Sequence, residues 1–150
     1  MADNVVKKLT EEGLLITIVE SCTGGGVANA ITNIPGASEV FKQGFVPYSN
    51  EAKIRLGVRK EILEKFGVYS LEMAEELANV GILQDRICEE KIVSIGVTGN
   101  LSSPFEIFVA VKFKKDIRLE KITLTNNTRQ KNKEKIISRV LEMVLEVIIC

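Results

Sequence analysis

The chain contains no histidine. That absence excludes the Ser-His-Asp and Cys-His arrangements of the histidine-dependent hydrolases together. It also excludes most zinc sites, because Cys22, Cys88 and Cys150 are scattered without the short spacings of metal ligands. Three cysteines without a pairing pattern read as reduced thiols. An excess of charge of one sign is missing as well: 20 basic residues balance 20 acidic ones. A polyanion-binding chain usually carries a basic excess, so nucleic acid is not an expected partner. No apolar run reaches the ~18 residues that suggest a membrane span. The N-terminal "MADNVVKKLTEEG" is too polar and acidic for a signal peptide. The expected location is therefore the cytoplasm, with no membrane partner.

What is present suffices for one domain over residues 1–150, since 45% of the chain is hydrophobic. The pattern along it alternates. Residues 3–12 predict a short amphipathic helix with Val5, Val6 and Leu9 on one face and Gly13 as its stop. "LLITIV" at 14–19 predicts a buried strand. A helix follows over about 23–32, and an irregular or edge strand lies within 39–49, where Gly44 and Pro47 interrupt it. Short helices are predicted over 50–57, with Asn50 as cap and Gly57 as stop, and over 59–67. Ser70 caps a longer helix over 71–88. A second apolar strand spans 91–99. Segments 105–113 and 117–125 then form a hairpin, the first with Phe105, Ile107, Val109, Val111 and Phe113 on one side. The last helix, 128–149, carries Ile137, Val140, Leu141, Val144, Leu145 and Ile148 at helical spacing. This order predicts an α/β fold with helices on both faces of a mixed sheet. In such folds ligands bind beyond the C-terminal ends of the strands. Two strands end there in polar turns, "ESCTGGG" and "VTGNLSSP".

The glycine-rich turn matches no common phosphate-binding or hydrolase motif. It lacks the Lys of a G-x-x-x-x-G-K loop, has Asn29 where a dinucleotide fingerprint ends in glycine, and has Val19 where a hydrolase elbow needs glycine. Shared physics remains. Glycines let the backbone approach a ligand, and amides opening the next helix attract an anion or a polarised carbonyl, with Ser21 at the edge. The alternative is that Ser21 and Thr23 merely cap that helix. Cys22 is a rival nucleophile, since a helix N-terminus lowers a thiol's pKa.

"ESCTGG" at 20–25, "IPGAS" at 34–38, "YSNEAKIRLGV" at 48–58 and "GVTG" at 96–99 together resemble the C-terminal domain of the competence-damage-inducible protein CinA. That family includes stand-alone nicotinamide-nucleotide amidohydrolases. The resemblance covers nearly the whole chain in order. It implies a three-layer α/β/α sandwich that converts nicotinamide mononucleotide to nicotinate mononucleotide and ammonia with no metal and no organic cofactor. By the same resemblance Ser21 is the nucleophile, and Tyr48, Lys53 and Thr98 match catalytic positions. Thr23, Gly24, Gly25, Asn50, Gly99 and Arg129 fall on the substrate side of the motifs. The implied partner is a small nucleotide; a homo-oligomer is left open.

The residues themselves meet this picture at one point. A serine needs a base, and without histidine a partly desolvated lysine is the natural substitute, which favours Lys53 over its reading as an ordinary solvated side chain. The last helix opens "TRQKNKEK", placing Arg129, Lys131 and Lys133 against the helix dipole, either as a solvated turn or as a phosphate site. One stretch departs from the family. Where relatives continue "GIAGPGG", this chain has "GVTGNLSSPFE". The shorter loop at 100–104 is expected to cover less of the pocket, which leaves a relative that binds a pyridine nucleotide without turnover as the alternative.

Overall fold

A computed structural model describes residues 1–149. It is a three-layer α/β/α sandwich around a five-stranded mixed sheet. The strands are β1 (Leu15–Glu20), β2 (Phe41–Phe45), β3 (Ile92–Gly99), β4 (Glu106–Phe113) and β5 (Asp116–Thr123), in the spatial order β2-β1-β3-β4-β5. β1 runs parallel to both β2 and β3, whereas β4 is antiparallel to β3 and to β5. β3 is buried along its whole length, as the centre of a two-sided sheet must be.

The helices are α1 (Ala2–Glu12), α2 (Gly26–Thr32), α3 (Asn50–Leu56), α4 (Lys60–Phe66), α5 (Leu71–Gln84) and α6 (Arg129–Ile149). α1, α2 and α6 cover one face, where Leu9, Ile31 and Val140 join Ile16, Ile95 and Val109 in the main core. α5 covers the other face, with Met73, Leu77 and Val80 packed on Val19 and flanked by Ile62 and Leu63 of α4. α5 lies very close to β3. A Cβ on Gly96 would stand 2.0 Å from the Ala74 carbonyl oxygen, so only glycine fits beneath that helix.

Several expected boundaries shift, each for a local reason. α5 stops at Gln84 rather than 88, because Asp85 leaves the helix to accept hydrogen bonds from Thr17 of β1 and Gln43 of β2. Ser49, not Asn50, caps α3, its hydroxyl accepting from the Ala52 amide at 3.1 Å. Phe105 precedes β4 with φ of 57° and is only part-buried. On α6 the fully buried positions include Asn132, Ile136, Met143 and Val147 beside Val140, Leu141 and Val144, so Ile137, Leu145 and Ile148 lie at the flank of the buried stripe. The antiparallel β3–β4 pair was not foreseen; the 100–104 segment is its connection. Cys22 and Cys88 are free thiols, and Cys150 lies outside the described residues. Among the described residues no helix is long and apolar enough to cross a membrane.

The topology has one consequence for function. β1, β2, β3 and β5 all point the same way, so their C-terminal ends meet at one edge of the sheet. Ser21 follows β1, Tyr48 and α3 follow β2, Gly99 ends β3, and α6 begins after β5.

Candidate active site

A cavity of about 220 Å³ opens at that edge. Ser21, Cys22 and Lys53 line it, as do Tyr48, Asn50 and Arg129. Its remaining walls come from Val68 and Tyr69, before α5, and from Gly99, Asn100 and Leu101. Residues more than 100 positions apart in the chain thus share one small space.

Ser21 sits one residue beyond β1, with its amide donating to the Val97 carbonyl at 3.1 Å, so pairing with β3 continues to Ser21 itself. Its side chain is buried but reaches the cavity. Lys53 is only 1% exposed, which is rare for a lysine. Its amine donates to the Pro47 carbonyl at 2.9 Å and to the Tyr48 carbonyl at 3.5 Å. These bonds hold the amine against the cavity. Burial pushes its pKa below the ordinary amine value, partly opposed by the neighbouring Cys22. Serine activation requires a group that takes up a proton, and a lowered amine pKa moves Lys53 toward that role in the cavity it shares with Ser21.

Cys22 behaves oppositely to the expectation from a helix N-terminus. Its thiol is 5% exposed, and burial pushes its pKa up to about 12, with the Glu20 charge adding to the effect. A thiol in that state is a poor nucleophile at neutral pH.

The start of α2 is itself occupied by the Glu20 carboxylate. Its Oε1 accepts from the Thr23 hydroxyl at 2.6 Å and from the amides of Gly25 and Val27 at 3.0 and 3.1 Å. Oε2 accepts from the Ala28 amide at 3.0 Å. The amides expected to hold a ligand thus hold an internal anion, as the dipole favours. Thr23, 2% exposed, serves this cage and not the cavity, and Gly24 and Gly25 shape the turn with φ of 62° and 93°. None of these three lines the cavity. Nor do Ser21 and Thr23 cap α2 in the expected sense. The signal was visible: "LLITIV" ends in an acid at a position the strand buries.

Thr98 is fully buried, and its hydroxyl donates to the Val68 carbonyl at 2.8 Å. It does not line the cavity; it anchors the 67–70 segment that does. Tyr48 is exposed, and its hydroxyl accepts from the Arg129 Nη2 at 3.5 Å, which brings the first residue of α6 to the cavity mouth. One turn further along α6, the Lys133 amine stands 3.4 Å from where a Gly24 Cβ would be, so a second cation lies over the glycine turn. The 100–104 loop is short but not thin cover. Asn100 Oδ1 accepts from the Ser102 amide at 2.8 Å in a local turn, and Leu101, 4% exposed, packs into the core and walls the cavity.

The domain is thus a three-layer α/β/α sandwich that brings a buried serine and a buried lysine to one cavity at the C-terminal edge of its parallel strands. The family model for the CinA C-terminal domain matches residues 1–148, and the chain belongs to that family. It is 47% identical over 96 residues to a competence-damage inducible protein of Caldicellulosiruptor saccharolyticus, covering 63% of this chain and 23% of the relative. It is 41% identical over 123 residues to one of Clostridium beijerinckii, covering 78% of this chain and 30% of the relative. The matches thus span less than a third of these curated relatives. Among solved structures, the competence/damage inducible protein of Agrobacterium tumefaciens superposes with a TM-score of 0.86 at 28% identity, covering 97% of this chain and 92% of that one. A CinA superfamily protein of Klebsiella pneumoniae, at 20% identity, shares the fold with a TM-score of 0.89 and coverage of 98% and 94%.

Proposed function

We propose that the chain is an amidohydrolase that deamidates nicotinamide mononucleotide, with Ser21 as nucleophile and Lys53 as base. One observation carries the reading: in a chain without histidine, a buried lysine whose amine is held by two carbonyls shares a small cavity with a buried serine. The Lys53 amine takes the proton of the Ser21 hydroxyl as Oγ bonds to the carboxamide carbon. The resulting ammonium returns that proton to the leaving nitrogen, the C–N bond breaks, and ammonia departs. Water then attacks the acyl-serine with the same amine as base, releasing the nicotinate product and restoring Ser21.

The developing oxyanion needs donors. Within the turn, the amides of Ser21, Gly24, Gly25, Gly26, Val27 and Ala28 already bond inside the protein. Of the remaining turn residues Cys22 lines the cavity, and its amide is the one assigned to the oxyanion. The cavity, about 220 Å³, is below the ~300 Å³ at which pockets for whole drug-sized ligands begin. It suits the ring and its carboxamide, with the phosphate outside near Arg129 at the mouth. The test is ammonia release from nicotinamide mononucleotide by purified protein, with Ser21→Ala as control. Release by the wild type alone supports the reading; binding without release makes the chain a nucleotide-binding relative instead.

A further inference from the structure

The chain has only two tyrosines and no tryptophan, and both tyrosines line the same cavity. Tyr48 is 62% exposed and Tyr69 is 51% exposed. A single exposed ring needs no explanation, but both members of so small a set at one cavity mouth do. Tyr48 has a partner in Arg129 and a place in the "YSNEAK" motif. Tyr69 has neither, yet its backbone is held from two sides. The Thr98 hydroxyl holds the Val68 carbonyl at 2.8 Å. The Ser70 hydroxyl donates to the Gly67 carbonyl at 3.0 Å while accepting from the Met73 amide at 3.1 Å. The segment is therefore tied to β3 on one side and to the start of α5 on the other. A ring on so fixed a segment loses little freedom when a ligand stacks on it. Apolar Val68 and Leu101 line the same cavity as polar Ser21 and Lys53.

We propose that Tyr69 is a specificity-determining residue whose ring stacks on the substrate's pyridinium ring and selects cationic N-substituted pyridine carboxamides over uncharged ones. This rests on the deamidase reading above. The face of a tyrosine ring is electron-rich and attracts a flat cation, whereas an uncharged ring gains only dispersion. Ser21 and Lys53 then meet the carboxamide, and the ribose and phosphate leave the ring nitrogen toward the mouth.

The test compares wild type, Tyr69→Ala and Tyr69→Phe. Ammonia release from nicotinamide mononucleotide gives KM and kcat. Calorimetry on the Ser21→Ala background gives binding of the same nucleotide and of its reduced form, which keeps the ribose and phosphate but has an uncharged ring. Tyr69→Ala should raise KM about tenfold with kcat within about twofold, and Tyr69→Phe should stay near wild type, because the ring face and not the hydroxyl is used. The reduced nucleotide should bind weakly to the Ser21→Ala protein and be indifferent to adding Tyr69→Ala. An unchanged KM in Tyr69→Ala, or equal weakening toward both nucleotides, overturns the proposal while the deamidase reading stands. A wild type that neither binds nor deamidates the nucleotide overturns both.

Discussion

Replacing Glu20 by glutamine changes one oxygen to an NH2 group, in a place where the structure tolerates no donor. The carboxylate is 1% exposed and accepts four hydrogen bonds, three from backbone amides at the start of α2 and one from the Thr23 hydroxyl. Glutamine keeps one acceptor oxygen but aims its NH2 group at an N–H. Leaving one buried donor unpaired costs ~1–3 kcal/mol. Losing the negative charge at a helix N-terminus adds up to ~2 kcal/mol in a buried setting. A total of ~1–5 kcal/mol is expected from these two effects. That is a substantial part of the ~5–15 kcal/mol that holds a typical domain folded. In a chain of this size it lowers Tm by roughly 2–20 °C. Glu20→Ala leaves all four donors without an acceptor and should cost more. Because the Ser21 turn is built on this cage, turnover should fall with stability even though Glu20 does not line the cavity. Urea unfolding followed by circular dichroism, with ammonia release measured where the variant is still folded, checks both. A Glu20→Gln protein within ~0.5 kcal/mol of wild type would show that the amides find other acceptors and that the cage is not what holds the turn.

Three further outcomes are expected. Ser21→Ala should abolish turnover by several orders of magnitude with the fold intact, whereas Cys22→Ala should retain most of it, since the Cys22 thiol stays protonated at neutral pH; the reverse result would reassign the nucleophile. Lys53→Met should stop turnover in a protein that still folds. Burial lowers the folded pKa of Lys53 below the ordinary 10.5, so between those two values the unfolded chain binds more protons and wild-type stability rises with pH. The methionine variant should lose that rise, and a slope unchanged in urea titrations across that range would return Lys53 to the solvated surface. Arg129→Ala should raise KM for nicotinamide mononucleotide and leave the riboside, which lacks the phosphate, nearly unaffected. Equal damage to both would place Arg129 at the carboxamide instead.

Much of the fold was legible because it is local. "LLITIV" and "KIVSIGVTG" are apolar enough to be buried strands, and Gly13, Gly57 and Ser70 mark helix ends through backbone conformation and side-chain capping that act within a few residues. The Ser21, Lys53 and Tyr48 positions were reached through motifs and Arg129 through its place at the start of the last helix, and the parallel run of β1, β2, β3 and β5 carries them to one edge. Other features depended on partners that no local pattern names. Whether the amides of α2 face a ligand or an internal acid turned on Glu20 folding back across eight residues. Whether Cys22 is reactive turned on burial by distant elements, which raised a pKa that the helix end alone would have lowered. Thr98 looked catalytic by motif, but the inward side of a fully buried strand turned its hydroxyl to the Val68 carbonyl. Tyr69 had no motif; its place at the cavity exists because β3 and α5 pin the segment that bears it. Hydrophobic period and capping act over a few residues and can be read from the chain alone. Desolvation and the assignment of buried donors to acceptors depend on what the whole fold brings together, and only the packed structure settles them.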